Sequence, residues 1–102
     1  MMNKEFKLKG YDVLFRIKKM NAIEILAMRS QIDFDSVDKA INTINLALEN
    51  VEVKCDESWL PVKDRDSFLP VGIENDVKAI DEIFSVFFNE LKAVFQQSKT
   101  SK

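Results

Sequence analysis

The sequence predicts an α+β domain in which a small N-terminal β-hairpin packs on a three-helix, mostly α-helical body. Three observations lead there. Apolar and charged residues alternate over residues 4–17, KEFKLKGYDVLFRI, the period-two signature of strands with one covered face. Apolar residues recur at steps of three and four over residues 75–97, NDVKAIDEIFSVFFNELKAVFQQ, and again over residues 37–49, which is the period of an amphipathic helix. Between these blocks Pro61, Pro70 and Gly72 punctuate a stretch without either period.

A chain of 102 residues with 46% apolar content supports one domain with a modest core and no metal or disulfide staples. The expected domain covers residues 1–98, with a flexible tail over 99–102. No run of about 18 apolar residues and no cationic-then-apolar leader is present, so neither a membrane span nor a secretory signal is expected. Cys55 is the single cysteine, which rules out an intrachain disulfide and fits a reducing cytosol. The formal net charge of −2 hides an asymmetry: residues 1–30 carry seven Lys or Arg against three acids, and residues 31–90 carry five against fourteen. Such a split can steer association or bring copies together head to tail. It can equally be two ordinary solvated faces.

In chain order, Phe6 and Leu8 alternate with charges before Lys9-Gly10, and Tyr11, Val13, Phe15 and Ile17 alternate after it. The hairpin turn is therefore placed at Lys9-Gly10, where glycine relaxes the backbone. A two-stranded hairpin is marginal alone and must rest on a helix. Asn21 and Glu24 form a capping box for the next helix, whose face is read as Ile23, Leu26, Ala27 and Ser30, broadened by Ile25 and Met28. A second helix is expected to start with Asp33 as cap and Ile32 and Val37 as its staple, with Asp35 and Asp38 favouring the positive end. Its apolar face is Val37, Ala40, Ile41, Ile44, Ala47 and Leu48, and Asn50, tolerant of the left-handed conformation, ends it. Residues 51–55, VEVKC, are either a third strand or an extended linker. Residues 56–74 are expected as a strapped loop or short helical turn packed over the core, anchored by a buried Trp59.

The chemistry the sequence lacks is informative. It has no histidine and only two glycines, which removes His-based triads and a Gly-rich phosphate loop. Cys55 has no evident activating partner. Asp33, Asp35 and Asp38 are acidic residues at a helix start, and Asp64 with Asp66 punctuate a loop; neither set has calcium-loop spacing. No enzyme activity, metal or cofactor is therefore expected. The basic residues near the N-terminus interleave with Phe6, Tyr11 and Phe15, but those aromatics hold the positions a core would claim, so no nucleic-acid partner is expected either.

The remaining signal is the last helix. Val77, Ile80, Phe84, Phe87, Leu91 and Val94 form a line, and Ile83, Phe88 and Phe95 widen it to an arc of about 140°. Each fully buried Phe would contribute about 1.5–3 kcal/mol, so core packing alone is one reading. The other is core plus an intermolecular contact, because the face is broad and aromatic for one short neighbouring helix. Ile80, Phe84, Phe87, Phe88, Leu91, Val94 and Phe95 are the candidate protein-interaction residues, with self-association as one expected use.

The order of features resembles that of a known family: the basic hairpin FKLKGYDVLFRI, the helix NAIEILAMRSQIDF, the acidic helix ending LALENVEV, the piece DESWLPVKDRDSFLPVGIEND and the last helix EIFSVFFNELKAVFQQS. Together these are similar to the short tail assembly chaperones of long-tailed bacteriophages of Gram-positive hosts. The resemblance implies a non-enzymatic factor in the cytoplasm of the bacterial host, absent from the finished virion. It implies the tape measure protein as partner, with major tail subunits as a further class. The alternative reading is a small homo-oligomeric adaptor or regulator without a tail client.

Overall fold

The computed structural model describes residues 4–32 and 35–100, with side chains as far as residue 93. The fold is α+β. Strands β1 (Glu5–Lys7) and β2 (Leu14–Ile17) are followed by helices α1 (Ala22–Arg29) and α2 (Val37–Glu49). Strands β3 (Val51–Cys55) and β4 (Ser58–Pro61), a one-turn helix α3 (Arg65–Phe68), a 3-10 turn at Ile73–Asn75 and the long helix α4 (Val77–Thr100) complete it. The four strands form one antiparallel sheet in the order β1-β2-β3-β4.

Pairing in the sheet decides which side chains reach the core. Phe6 lies opposite Phe15, Phe15 opposite Val53, and Val53 opposite Leu60. Directly paired residues share a face, and on this face Phe15, Ile17, Val51 and Val53 are fully buried. The other face carries Glu5, Arg16, Glu52 and Pro61 in one row and Lys7, Leu14, Lys54 and Trp59 in the next. Helix α4 closes the core through Ala79, Ile83, Phe87 and Leu91, each at most 4% exposed. Their spacing of four residues is one ridge of an α-helix.

Several sequence expectations change. The hairpin connection is not a tight turn at Lys9-Gly10 but the whole of residues 8–13, with Leu8 buried and Gly10 at φ 88°. Tyr11 leaves the strand alternation altogether. Helix α1 has the expected capping box, with Asn21 Oδ1 accepting from the Glu24 N–H at 2.8 Å and the Asn21 N–H donating to Glu24 Oε1 at 3.0 Å. Its buried residues are Ile25 and Met28, whereas Ile23 and Leu26 are 78% and 59% exposed. The two apolar lines of that short helix are alike in sequence, and tertiary packing selects the other one. Helix α2 starts at Val37 with Ser36 as cap; Asp33, the expected cap, lies outside the described residues. Asn50 ends it at φ −108°, not left-handed, with Nδ2 donating to the Leu46 carbonyl at 2.8 Å.

The expected strap over residues 56–74 is more regular than its composition suggests. Asp56 and Glu57 form a two-residue turn, with Asp56 in the left-handed region at φ 56°, and Ser58–Pro61 returns as β4. Such turns usually carry Asn-Gly or Asp-Gly, and their absence here hid the hairpin. Trp59 is not the buried anchor. It sits half-buried on the outer face of the sheet, with the Arg16 guanidinium 4.2 Å from its ring centroid. Val62, Phe68 and Ile73 anchor this segment in the core instead. The backbone of α4 remains helical to Thr100, so the expected tail begins inside it; residues 101–102 lie outside the described residues.

Candidate functional site

Helix α4 sets the geometry of the candidate site. Asp76 caps it, its Oδ1 accepting from the Ala79 N–H at 3.1 Å and its carbonyl from the Ile80 N–H. The Tyr11 hydroxyl donates to Asp76 Oδ2 at 2.6 Å, tying the hairpin connection to the start of the helix. That hydrogen bond is the main reason the Asp76 carboxyl titrates below its ordinary range, with the Ala79 N–H adding to it. The same bond raises the Tyr11 hydroxyl above its ordinary value. Further along, the Lys9 N–H donates to Glu82 at 3.4 Å and Lys4 pairs with Glu90 at 3.0 Å. The Lys4 charge is therefore met by an acid of the chain's own last helix, whereas Lys9 contributes its backbone N–H. Lys7 pairs with Asp12 and Arg16 with Glu52.

These contacts and the buried line define the rotation of α4. With the line Ala79, Ile83, Phe87 and Leu91 towards the core, residues 82, 86 and 90 turn towards the hairpin. Ile80, Phe84 and Phe88 lie on the opposite flank, about 80° round the helix. All three are half-buried. Phe84 and Phe88 border a shallow groove with Ile44 of α2, rimmed by Asp81, Ser85, Asn89 and Lys92, with a volume of about 480 Å³. Phe88 also meets Phe87 edge-on, at 5.4 Å between ring centroids and 77° between planes. Phe87 thereby braces the half-buried ring from within.

Of the seven interaction residues expected from sequence, Ile80, Phe84 and Phe88 share this flank. Phe87 and Leu91 are each 1% exposed; they are core residues of the folded chain and offer no surface to a partner. Val94 and Phe95 lie outside the residues whose side chains are described. Val77, placed on the same apolar line from its spacing, is 82% exposed, because the core line runs through Ala79 instead.

The sequence reading missed the opposite wall of the groove. On α2 the buried residues are Thr43 and Ala47, not the centre of the predicted apolar arc. Thr43 is accommodated because its hydroxyl donates to the Lys39 carbonyl at 3.0 Å. That rotation turns Val37, Ile41 and Ile44 away from the core at helical spacing, leaving Val37 and Ile41 77% and 50% exposed. The available signal was the width of the arc: six apolar positions are more than a helix packed on one side needs.

Among the described residues no helix is long and apolar enough to cross a membrane, and no cluster of His, Cys, Asp or Glu has metal-site geometry. No protein-family model, curated protein or solved structure matches the chain.

Proposed function

We propose that the protein is a non-enzymatic assembly factor that holds an apolar helix of a client in the groove between α2 and α4. The observation that carries this reading is the flank of Ile80, Phe84 and Phe88 beside Ile44. Aromatic side chains stay half-exposed there, although the same helix already supplies a complete core line. A helical client with apolar residues at i, i+3 or i+4 and i+7 fits such a groove. Covering that stripe until the client assembles suppresses its aggregation. Asp81 and Lys92 at the rim give the groove both signs of charge with which to set the direction of a bound helix.

The resemblance to tail assembly chaperones supplies the client class. Under this proposal the chain acts in the cytoplasm of a phage-infected or prophage-carrying bacterium and binds the tape measure protein, a long helical molecule, before the tail tube forms around it. The test is co-expression with a candidate tape measure protein from among the gene products encoded beside it, comparing the parent with Phe88→Asp and Ile44→Asp. The parent is expected to keep the client soluble and to co-purify with it, and each folded variant to lose both properties. Equal protection by parent and both variants would remove the groove as the client site.

A further inference from the structure

The two edges of the sheet differ. In an antiparallel pair, hydrogen-bonded and non-hydrogen-bonded positions alternate. On β4, the Val62 N–H bonds the Val51 carbonyl at 2.8 Å, which turns the peptide groups of Pro61, one residue earlier, outward. Pro61 has no N–H to offer, and its carbonyl accepts from the buried Ser67 hydroxyl at 2.6 Å. At Pro61 that edge is closed by the chain itself, one of the ordinary ways a sheet avoids unwanted pairing, which leaves Trp59 as the residue of β4 with outward peptide groups.

On β1, the Ile17 N–H bonds the Lys4 carbonyl at 3.0 Å, and Glu5 pairs with Arg16, Phe6 with Phe15 and Lys7 with Leu14. Lys4 and Phe6 therefore bond to β2, while the peptide groups of Glu5 and Lys7 point away from the sheet. This edge presents Glu-Phe-Lys, and that triplet complements itself. With a two-fold axis at Phe6, a second β1 running antiparallel sets Glu5 opposite Lys7 of the other copy, and Lys7 opposite its Glu5. The two residues that face each other are the two with outward N–H and C=O groups, so the hydrogen-bond phase and the charge pattern select the same register. Their side chains lie on the outer face, where opposite charges directly across strands attract. On the inner face the half-buried Phe6 meets its counterpart at the close, non-hydrogen-bonded position. That extends the Phe6–Phe15 stack, which has centroids 5.6 Å apart and planes 20° apart.

We propose that the β1 edge is a homodimer interface that joins two four-stranded sheets into one, centred on Phe6. The inference is independent of the groove, which lies on the other flank of α4. The interface is short, so the dimer is a weak one that dissociates on dilution.

The test is sedimentation velocity of the full chain over a dilution series reaching about 500 µM. Four samples are compared with the parent: Glu5→Lys, Lys7→Glu, the double exchange, and an equimolar mixture of the two single variants. All positions are exposed, and circular dichroism confirms folding. The parent is expected to show a mass that rises with concentration. Either single exchange sets like charges across both symmetric pairs, and weakens association by roughly tenfold or more. The double exchange and the mixture restore opposite charges and recover it. Phe88→Asp leaves association unchanged. A parent that stays monomeric, single variants that associate as the parent does, or a mixture that fails to recover each overturns the interface.

Discussion

Two stripes of α4 lie side by side and are nearly identical in composition, yet they have different fates. Ala79, Ile83, Phe87 and Leu91 are sealed in the core, and Ile80, Phe84 and Phe88 remain half-open. The helix propensity and hydrophobicity of the two lines do not separate them. What separates them is the angle at which the helix lies on the sheet. That angle also brings together the Tyr11–Asp76 hydrogen bond at the helix start and the Lys9–Glu82 contact and Lys4–Glu90 pair along its other flank. Each of these contacts is weak beside apolar burial, so they accompany the rotation that buries Ile83, Phe87 and Leu91 under the sheet, and that packing carries most of the energy. Apolar character makes burial favourable on either line, and the fit of one line against the sheet, with the polar contacts satisfied beside it, decides which residues are buried.

The largest effect that tests this contrast is at Phe87. Phe87→Ala should cost about 3–5 kcal/mol, the range for truncating a buried aromatic, measured by chemical denaturation. A cost similar to that at Phe88 would erase the distinction between the stripes. Phe88→Ala comes next, at about 1 kcal/mol from the lost ring contact with Phe87, with the fold retained by circular dichroism. Its main consequence should be loss of client protection.

Trp59 sharpens the comparison with a third aromatic environment, on the outer face of the sheet. Trp59→Ala should cost about 0.5–1 kcal/mol, the scale of a solvated cation–π contact, far below Phe87→Ala. Its fluorescence should be quenched readily by acrylamide. A shielded Trp59 would mean that something covers this face in solution.

The smallest effect is the pH dependence of the Tyr11–Asp76 anchor. Asp76 is lowered on folding, so its contribution is complete above the unfolded carboxyl value of 3.8 and is lost as pH falls through the depressed folded value. Tyr11 is raised, so its contribution is complete below the unfolded value of 10.0 and is lost as pH rises through the higher folded value. Tyr11→Phe should therefore be less stable than the parent across the neutral range. The difference should shrink at both extremes, as read from denaturation midpoints. A constant difference through the acid limb would show that the Tyr11 hydroxyl is not coupled to Asp76.

Residues 4–17 as a hairpin, the capping box at Asn21 and Glu24, and the helices over 37–49 and 77 onward were legible in the sequence. Each rests on a local rule: alternation, a cap at fixed spacing, or a helical period. VEVKC was open between a strand and an extended linker until its pairing with β2 and β4 made it β3. The β4 hairpin was hidden because its turn, Asp56-Glu57, lacks the glycine that normally marks one. The rotations of α1, α2 and α4 were not legible for a different reason. Each carries an apolar arc wider than its buried line, and a wide arc is compatible with several rotations of the same helix. Only the tertiary structure chose Ile25 over Leu26, Thr43 over Ile41, and Ala79 over Val77. It did so because long-range pairs such as Tyr11 with Asp76, 65 residues apart, act between segments that local periodicity treats separately. The sequence by itself determined that a broad aromatic face exists on the last helix. Which part of that face is core and which part is groove was decided by the angle at which the helix lies on the sheet.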